Sequence, residues 1–243
     1  MTLRKYIPNF ITCLNIVSGC LAVIFALKGQ LTVSVFMILS GAFFDFFDGM
    51  AARALKTYSA IGKDLDSLAD EITFGLAPGM IMLVLLQNSF KVDPSQDNSI
   101  FQNILLSFSL LIPVFSALRL AKFNNDTRQT SSFIGLPTPA NAIFISSLAL
   151  IQNYGKYETF DHFILSTQIL LFLTVLLSYL LISEIPMFSL KFKNLHWQDN
   201  KIRIIFLIIT FVLVITFSFY GIAATIISFV LLSFLQNFHK KVA

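Results

Sequence analysis

Charge is what this sequence has least of. Only 12% of its 243 residues are Asp, Glu, Lys or Arg, while 56% are hydrophobic and the mean hydropathy is +0.78. A water-soluble domain carries about twice that share of charge, so the composition excludes one and requires a hydrocarbon environment. Cysteine is also scarce. Cys13 and Cys20 stand seven apart on one apolar stretch, about 10 Å along a helix and out of disulfide reach. They read as small core residues. The three histidines, His162, His196 and His239, are scattered with no partner at zinc-ligand spacing, which argues against a zinc site. Nothing resembles a nucleic-acid module, and there is no internal repeat or low-complexity tract. The first apolar stretch starts at Pro8 after only Arg4 and Lys5 and lacks a small-residue cleavage site. It reads as a retained helix and not a signal peptide.

What is abundant is long apolar sequence, with 27 Phe among it. Runs of this length, at about 1.5 Å per helical residue, cross roughly 30 Å of hydrocarbon. The sequence predicts an all-α fold, a polytopic integral membrane helical bundle of about eight transmembrane helices. The expected spans are 8–28, 32–55, 68–88, 101–121, 138–152, 163–184, 202–218 and 220–238. The fifth is short. Only Tyr220-Gly221 parts the last two, which become one bent element if the glycine does not turn the chain. The polar run Asn88–Ser99 reads as an outer loop.

An even number of spans puts three of the 17 basic residues, Lys28, Lys91 and Lys156, on one side and the remaining 14 on the other. This is the positive-inside asymmetry, and it sets both termini in the cytoplasm. The expected location is the cell (inner, cytoplasmic) membrane. The net charge of +4 is then mainly an orientation signal, although such cations also meet anionic headgroups and phosphates.

Against this background the stretch Asp45 to Asp70 is anomalous. A carboxylate within or beside hydrocarbon is costly unless partnered, so a cluster of them marks a functional site. At about 100° per helical residue, Asp45 and Asp48 lie about 60° apart, and Gly49 and Ala52 stay within about 40° of Asp45. One face thus bears two acids and almost no bulk. Further on, Gly62, Asp66 and Asp70 recur every fourth residue and form a slowly drifting stripe, while Asp64 and Glu71 point the other way. Four converging carboxylates demand countercharge. Oxygen-only ligands select a hard divalent cation, Mg²⁺ or Mn²⁺, with Ca²⁺ also chemically suited. The small residues admit a bulky ligand close to the backbone, and Arg53 offers a planar donor for phosphate. The expectation is a metal-assisted pyrophosphate site at the cytoplasmic membrane surface.

The pattern Asp45-x2-Asp48-Gly49-x2-Ala52-Arg53-x8-Gly62-x3-Asp66-x3-Asp70 resembles, at every fixed position, the signature of the CDP-alcohol phosphatidyltransferases. Three further stretches are similar to the membrane-embedded phosphatidylserine synthase subgroup of that family: Pro8-Asn9 to Asn15, Leu65–Asp70 running into Phe74-Gly75 and Ala77-Pro78, and Leu118–Asn124 before Phe133–Ala140. The resemblance covers about residues 6–145, within a chain expected to form a single membrane domain over 1–243. Residues 163–238 add C-terminal helices without a chemical signal.

The resemblance implies metal-dependent transfer of a phosphatidyl group from CDP-diacylglycerol to L-serine with release of CMP. It implies metal ligation by Asp45, Asp48 and Asp66. Asp70 is implied as general base and further metal ligand, and Gly49, Ala52, Arg53 and Gly62 as the nucleotide border. It also implies a homodimer among membrane lipids. Lys122 stands where the subgroup more often has arginine, which loses a bidentate phosphate contact. On the residues themselves, Arg119, Lys122, Asn124 and Arg128 cluster on the cytoplasmic face as candidates for a diphosphate or the serine carboxylate. The Asn9, Thr12 and Asn15 face of the first helix either lines the nucleotide pocket or pairs helices. A sister enzyme using glycerol phosphate or inositol phosphate is the near alternative, and a cation transporter the remote one. A transporter would need its acids near the membrane midplane.

Overall fold

The computed structural model describes residues 6–57, 59–90, 99–126, 133–188 and 197–242. It is almost wholly helical. Helix α1 (Tyr6–Leu27) turns through Lys28–Gln30 into α2 (Leu31–Leu55), and the two form the most extensive helix pair of the bundle. Lys56, in the left-handed conformation at φ 52°, ends α2. Helix α3 (Ala60–Asp70) starts at Ser59, whose hydroxyl accepts from Gly62 N at 3.0 Å, a side-chain N-cap. A wide π-helical turn, Glu71–Leu76, joins α3 to α4 (Ala77–Ser89), with Pro78 in the first turn of α4.

The second half follows the same up-and-down path. Helix α5 (Ile100–Ser107), opened by a Ser99–Gln102 capping box, passes through a short 3₁₀ turn into α6 (Leu111–Asn125). Then come α7 (Thr138–Tyr154), α8 (Glu158–Ile164), α9 (Thr167–Ile182), α10 (Trp197–Phe217) and α11 (Phe219–Val242). Two short strands, β1 (Phe133–Ile134) and β2 (Pro186–Met187), pair antiparallel with Phe133 opposite Met187. No periodicity announces a pair of two-residue strands.

The central element is α4, where Ile81, Met82, Leu85 and Leu86 are at most 2% exposed. It packs on α1, α2, α7 and α9, so its sequence is apolar on every face. The outer helices instead show large apolar side chains to their surroundings, among them Phe10, Phe36, Phe46, Phe211 and Ile215. In water this surface would aggregate, and in a bilayer it is the solvent-matched face. Among the described residues six helices are long and apolar enough to cross a membrane, and seven if the bent pair α8 and α9, broken by 52°, counts as one. The protein is a multi-pass membrane bundle.

Each expected span coincides with helix, but some details differ. Helix α7 has 17 residues and is among the most buried, a core element more than a lipid-facing span. The last turn is made by Ser218, at φ 52°, and not by Tyr220-Gly221. Gly221 lies inside α11 against the Leu213 carbonyl of α10, where a Cβ would collide. Cys13 and Cys20 are exposed on the outer face of α1 and not in the core, because the inward stripe of that helix is Thr12, Asn15, Ser18, Gly19 and Ala22. Most of the expected outer loop, 91–98, lies outside the described residues.

Candidate active site at the α1, α2 and α3 ends

The last turns of α2, the first turns of α1 and most of α3 enclose a cavity of about 300 Å³. Its walls include Asn9 and Thr12 from α1, Asp45, Asp48, Gly49, Ala52 and Arg53 from α2, and Gly62, Lys63 and Asp66 from α3. The face of α2 that carries acids and small residues therefore opens on empty space. Gly62 is needed for the enclosure. A Cβ there would sit 3.0 Å from Ser59 Oγ and 3.1 Å from Asn9 Oδ1, so any side chain would push α3 off α1 or break the cap.

Asp45, Asp48 and Asp66 each direct one oxygen to a common point, with these atoms within 4.8 Å of one another. Asp48 is 5% exposed, and its Oδ2 has no hydrogen-bond partner. The Thr12 hydroxyl, which donates to the Pro8 carbonyl at 3.1 Å, lies beside it. Asp45 is within hydrogen-bonding reach of both Asp66 and Asp70. Asp70 is half-buried and leaves its Oδ1 unpartnered. Oxygen donors converging in this way, with orphaned acceptors on Asp48 and Asp70, fit a divalent metal ion. Asp64 is exposed on the far side of α3 and takes no part. Glu71 is also outside the cluster, yet it is half-buried, with its Oε2 unpartnered.

The basic stretch divides. Arg119 is buried at 6% exposure, reaches Thr138 Oγ1 with Nη1 at 3.4 Å, and interacts electrostatically with Asp70. Its guanidinium also lies over the Phe123 ring, 5.3 Å from the centroid. Lys122 turns away. It donates to the Ile182 carbonyl at 3.4 Å and pairs with Glu184 at 3.5 Å on the exposed side, tying α6 to the end of α9. Asn124 donates to Ser67 Oγ at 2.7 Å, and its carbonyl accepts from Lys63 Nζ at 3.2 Å, a link between α6 and α3. Arg128 lies outside the described residues. Of the described candidates Arg119, Lys122 and Asn124, only Arg119 is brought against an aspartate of the cluster.

The α1 face also divides. Asn9 and Thr12 line the cavity, whereas Asn15 accepts from Thr73 Oγ1 at 2.7 Å through Oδ1. Thr73 sits in the wide turn, and that bond fixes the turn next to Asp70. Sequence reasoning passed over Ser116, Thr138 and Asn141, all fully buried polar residues. Their signal was the polar side chains within the apolar runs of α6 and α7.

These features define a class before any comparison: a multi-pass membrane protein with a carboxylate-built, cation-suited cavity where helix ends meet. The family model of the CDP-alcohol phosphatidyltransferases matches residues 5–233. The chain is 31% identical over 211 residues to the CDP-diacylglycerol–serine O-phosphatidyltransferase of Helicobacter pylori strain 26695, covering 85% of this chain and 81% of that protein. It is 36% identical over 149 residues to the Bacillus subtilis enzyme of the same name, covering 61% of this chain and 78% of the other. The archaetidylserine synthase of Methanothermobacter thermautotrophicus is 33% identical over 152 residues, covering 62% and 60% of the two chains. The chain belongs to the CDP-alcohol phosphatidyltransferase family.

Proposed function

We propose that the protein transfers a phosphatidyl group from CDP-diacylglycerol to L-serine, forming phosphatidylserine and CMP. The observation that carries this reading is the convergence of Asp45, Asp48 and Asp66 within 4.8 Å, with Asp70 in reach of Asp45, beside a cavity walled by small residues. The names of the bacterial and archaeal relatives support serine as acceptor.

In this reading Asp45, Asp48 and Asp66, joined by Asp70, hold divalent metal, Mg²⁺ or Mn²⁺, with Ca²⁺ a weaker candidate. When bound, such an ion supplies Lewis-acid neutralisation of the pyrophosphate. Gly49, Ala52 and Gly62 leave room for the cytidine nucleotide, and Arg53, exposed at the cavity mouth, faces its phosphates. Asp70 accepts the proton of the serine hydroxyl. The serine oxygen attacks the lipid-bearing phosphorus, the bond from that phosphorus to the CMP oxygen breaks, and CMP leaves with the electron pair.

A site at helix ends suits both substrates, because the acyl chains need hydrocarbon while the nucleotide and serine arrive from water. The distribution of Lys and Arg supports a cytoplasmic site in the cell membrane. The family resemblance supports one membrane domain acting as a homodimer.

Purified protein supplied with CDP-diacylglycerol, L-serine and Mg²⁺ or Mn²⁺ is expected to release CMP and form phosphatidylserine. Release of CMP with glycerol phosphate or inositol phosphate, and not with serine, overturns the acceptor.

A further inference from the structure

Asp70 has a second side. It leads directly into the wide turn Glu71–Leu76, on which α6 and α7 both pack. Each presents buried polar groups. On α7, Thr138 and Asn141 are fully buried, and neither Asn141 Nδ2 nor Oδ1 has a partner. On α6, Ser116 is fully buried with Oγ unpartnered, and Arg119, 6% exposed, leaves Nε unpartnered. Within each pair the residues are three apart, so they share a helix face about 60° wide and about 4.5 Å long. Arg119 Nη1 lies 3.4 Å from Thr138 Oγ1 and joins the two faces.

A buried polar atom without a partner is costly, and folded proteins keep few. Here Asn141, Ser116 and Arg119 itself leave four such atoms, and Arg119 is close enough to Asp70 to interact with it electrostatically. That is unexplained by packing, since an apolar residue of similar shape would serve a mere core better. It is explained by a ligand that brings its own donors and acceptors.

We propose that this cluster holds the acceptor amino acid, and that Asn141 is its specificity-determining residue. The inference rests on the acceptor reading given above. The carboxylate of a small polar α-amino acid takes the Arg119 guanidinium and Asn141 Nδ2. Its ammonium donates to Asn141 Oδ1 and Ser116 Oγ. Its hydroxyl is left facing Asp70, whose unpartnered Oδ1 accepts from it. Asp70 thus stands between two half-sites, the nucleotide and metal cavity on one side and the acceptor on the other. An alcohol without the carboxylate and ammonium leaves the same buried groups unpaired, which is the arrangement that discriminates best.

The test is steady-state CMP release by purified protein at varied L-serine and varied CDP-diacylglycerol, for wild type, Asn141→Leu and the isosteric Thr138→Val, with metal-dependent CDP binding as the check of folding. Asn141→Leu is expected to raise the serine KM about tenfold or more while changing the CDP-diacylglycerol KM by less than about twofold. Thr138→Val is expected to shift the serine KM in the same direction by less, and Asn141→Gln, which keeps both polar atoms, to recover part of the loss. A serine KM unchanged in both Asn141→Leu and Thr138→Val, or serine and CDP-diacylglycerol constants that move together, overturns the inference while wild type still uses serine. Wild type that uses another alcohol and not serine overturns the acceptor reading itself.

Discussion

Removing one carboxylate from the converging trio should change stability in opposite senses with and without metal. Asp48 is the sharpest place to do it, since it is 5% exposed and its Oδ2 has no partner. Two unit charges at 4.8 Å repel by roughly 3 to 4 kcal/mol at an effective dielectric near 20. Asp48→Asn keeps the shape, removes repulsion from both Asp45 and Asp66, and adds an amide donor facing them. If even about 1 kcal/mol survives relaxation and screening, the melting temperature in chelator rises by about 2–4 °C for a protein of this size. Wild type behaves the other way. At a free metal concentration about 100 times the dissociation constant it gains about 2.7 kcal/mol, roughly 5–10 °C, and the variant gains little. The assay is thermal unfolding of detergent-purified protein in EDTA and across a Mg²⁺ or Mn²⁺ titration. A variant that melts below wild type in EDTA and retains the full metal response refutes the view that these acids repel in wait for a cation.

Asp70→Asn is expected to lower kcat for CMP release by about 10²–10⁴-fold, the usual worth of a positioned base, while metal-dependent CDP binding stays within about twofold. Full turnover by this variant rejects the base assignment. Lys122→Ala is expected to change turnover by less than about twofold, because its partners are the Ile182 carbonyl and the exposed Glu184 and exposed ion pairs contribute little. A loss of tenfold or more in turnover would place Lys122 in substrate binding. Gly62→Val is expected to weaken CDP binding at least tenfold, since its Cβ alone meets Ser59 Oγ at 3.0 Å and Asn9 Oδ1 at 3.1 Å, and unaltered CDP affinity in a titration would contradict the close approach of α3 to α1.

The helical bundle and the carboxylate cluster were legible because each rests on a local rule. Apolar length marks spans, and a four-residue recurrence of acids marks one helix face. Thus spacing put Asp45 with Asp48 on one helix face and Asp66 with Asp70 on another, and excluded Asp64. What spacing could not reveal is which partner a side chain finds across the bundle. Arg119 and Lys122 are three apart on α6, yet the first turns in to Thr138 and the second out to Glu184. Asn9 and Asn15 share the inner face of α1, yet the first meets the cavity and the second pairs with Thr73. The turn at Ser218 was missed because a serine in the left-handed conformation carries no glycine signal. The strand pair was missed because its register joins residues more than 50 positions apart.

The wide turn at Glu71–Leu76 reconciles two demands that one regular helix could not meet. Helix α3 must be amphipathic, with Asp66 and Asp70 inward and Asp64 outward, whereas α4 must be apolar all round to fill the bundle centre. A π-helical turn takes up an extra residue and resets the phase between them, which is why such turns gather at functional sites. Its geometry is held from outside. Thr73 donates to Asn15 Oδ1 at 2.7 Å, and a Cβ at Gly41 would lie 2.5 Å from Thr73 Cγ2 and 2.8 Å from Asn15 Oδ1. Helices α1 and α2 therefore approach the turn so closely that only hydrogen fits between. Asp70, the residue immediately before the turn, inherits its position from that three-way contact. Rigid packing here holds an otherwise costly carboxylate within reach of Asp45 and close to Arg119.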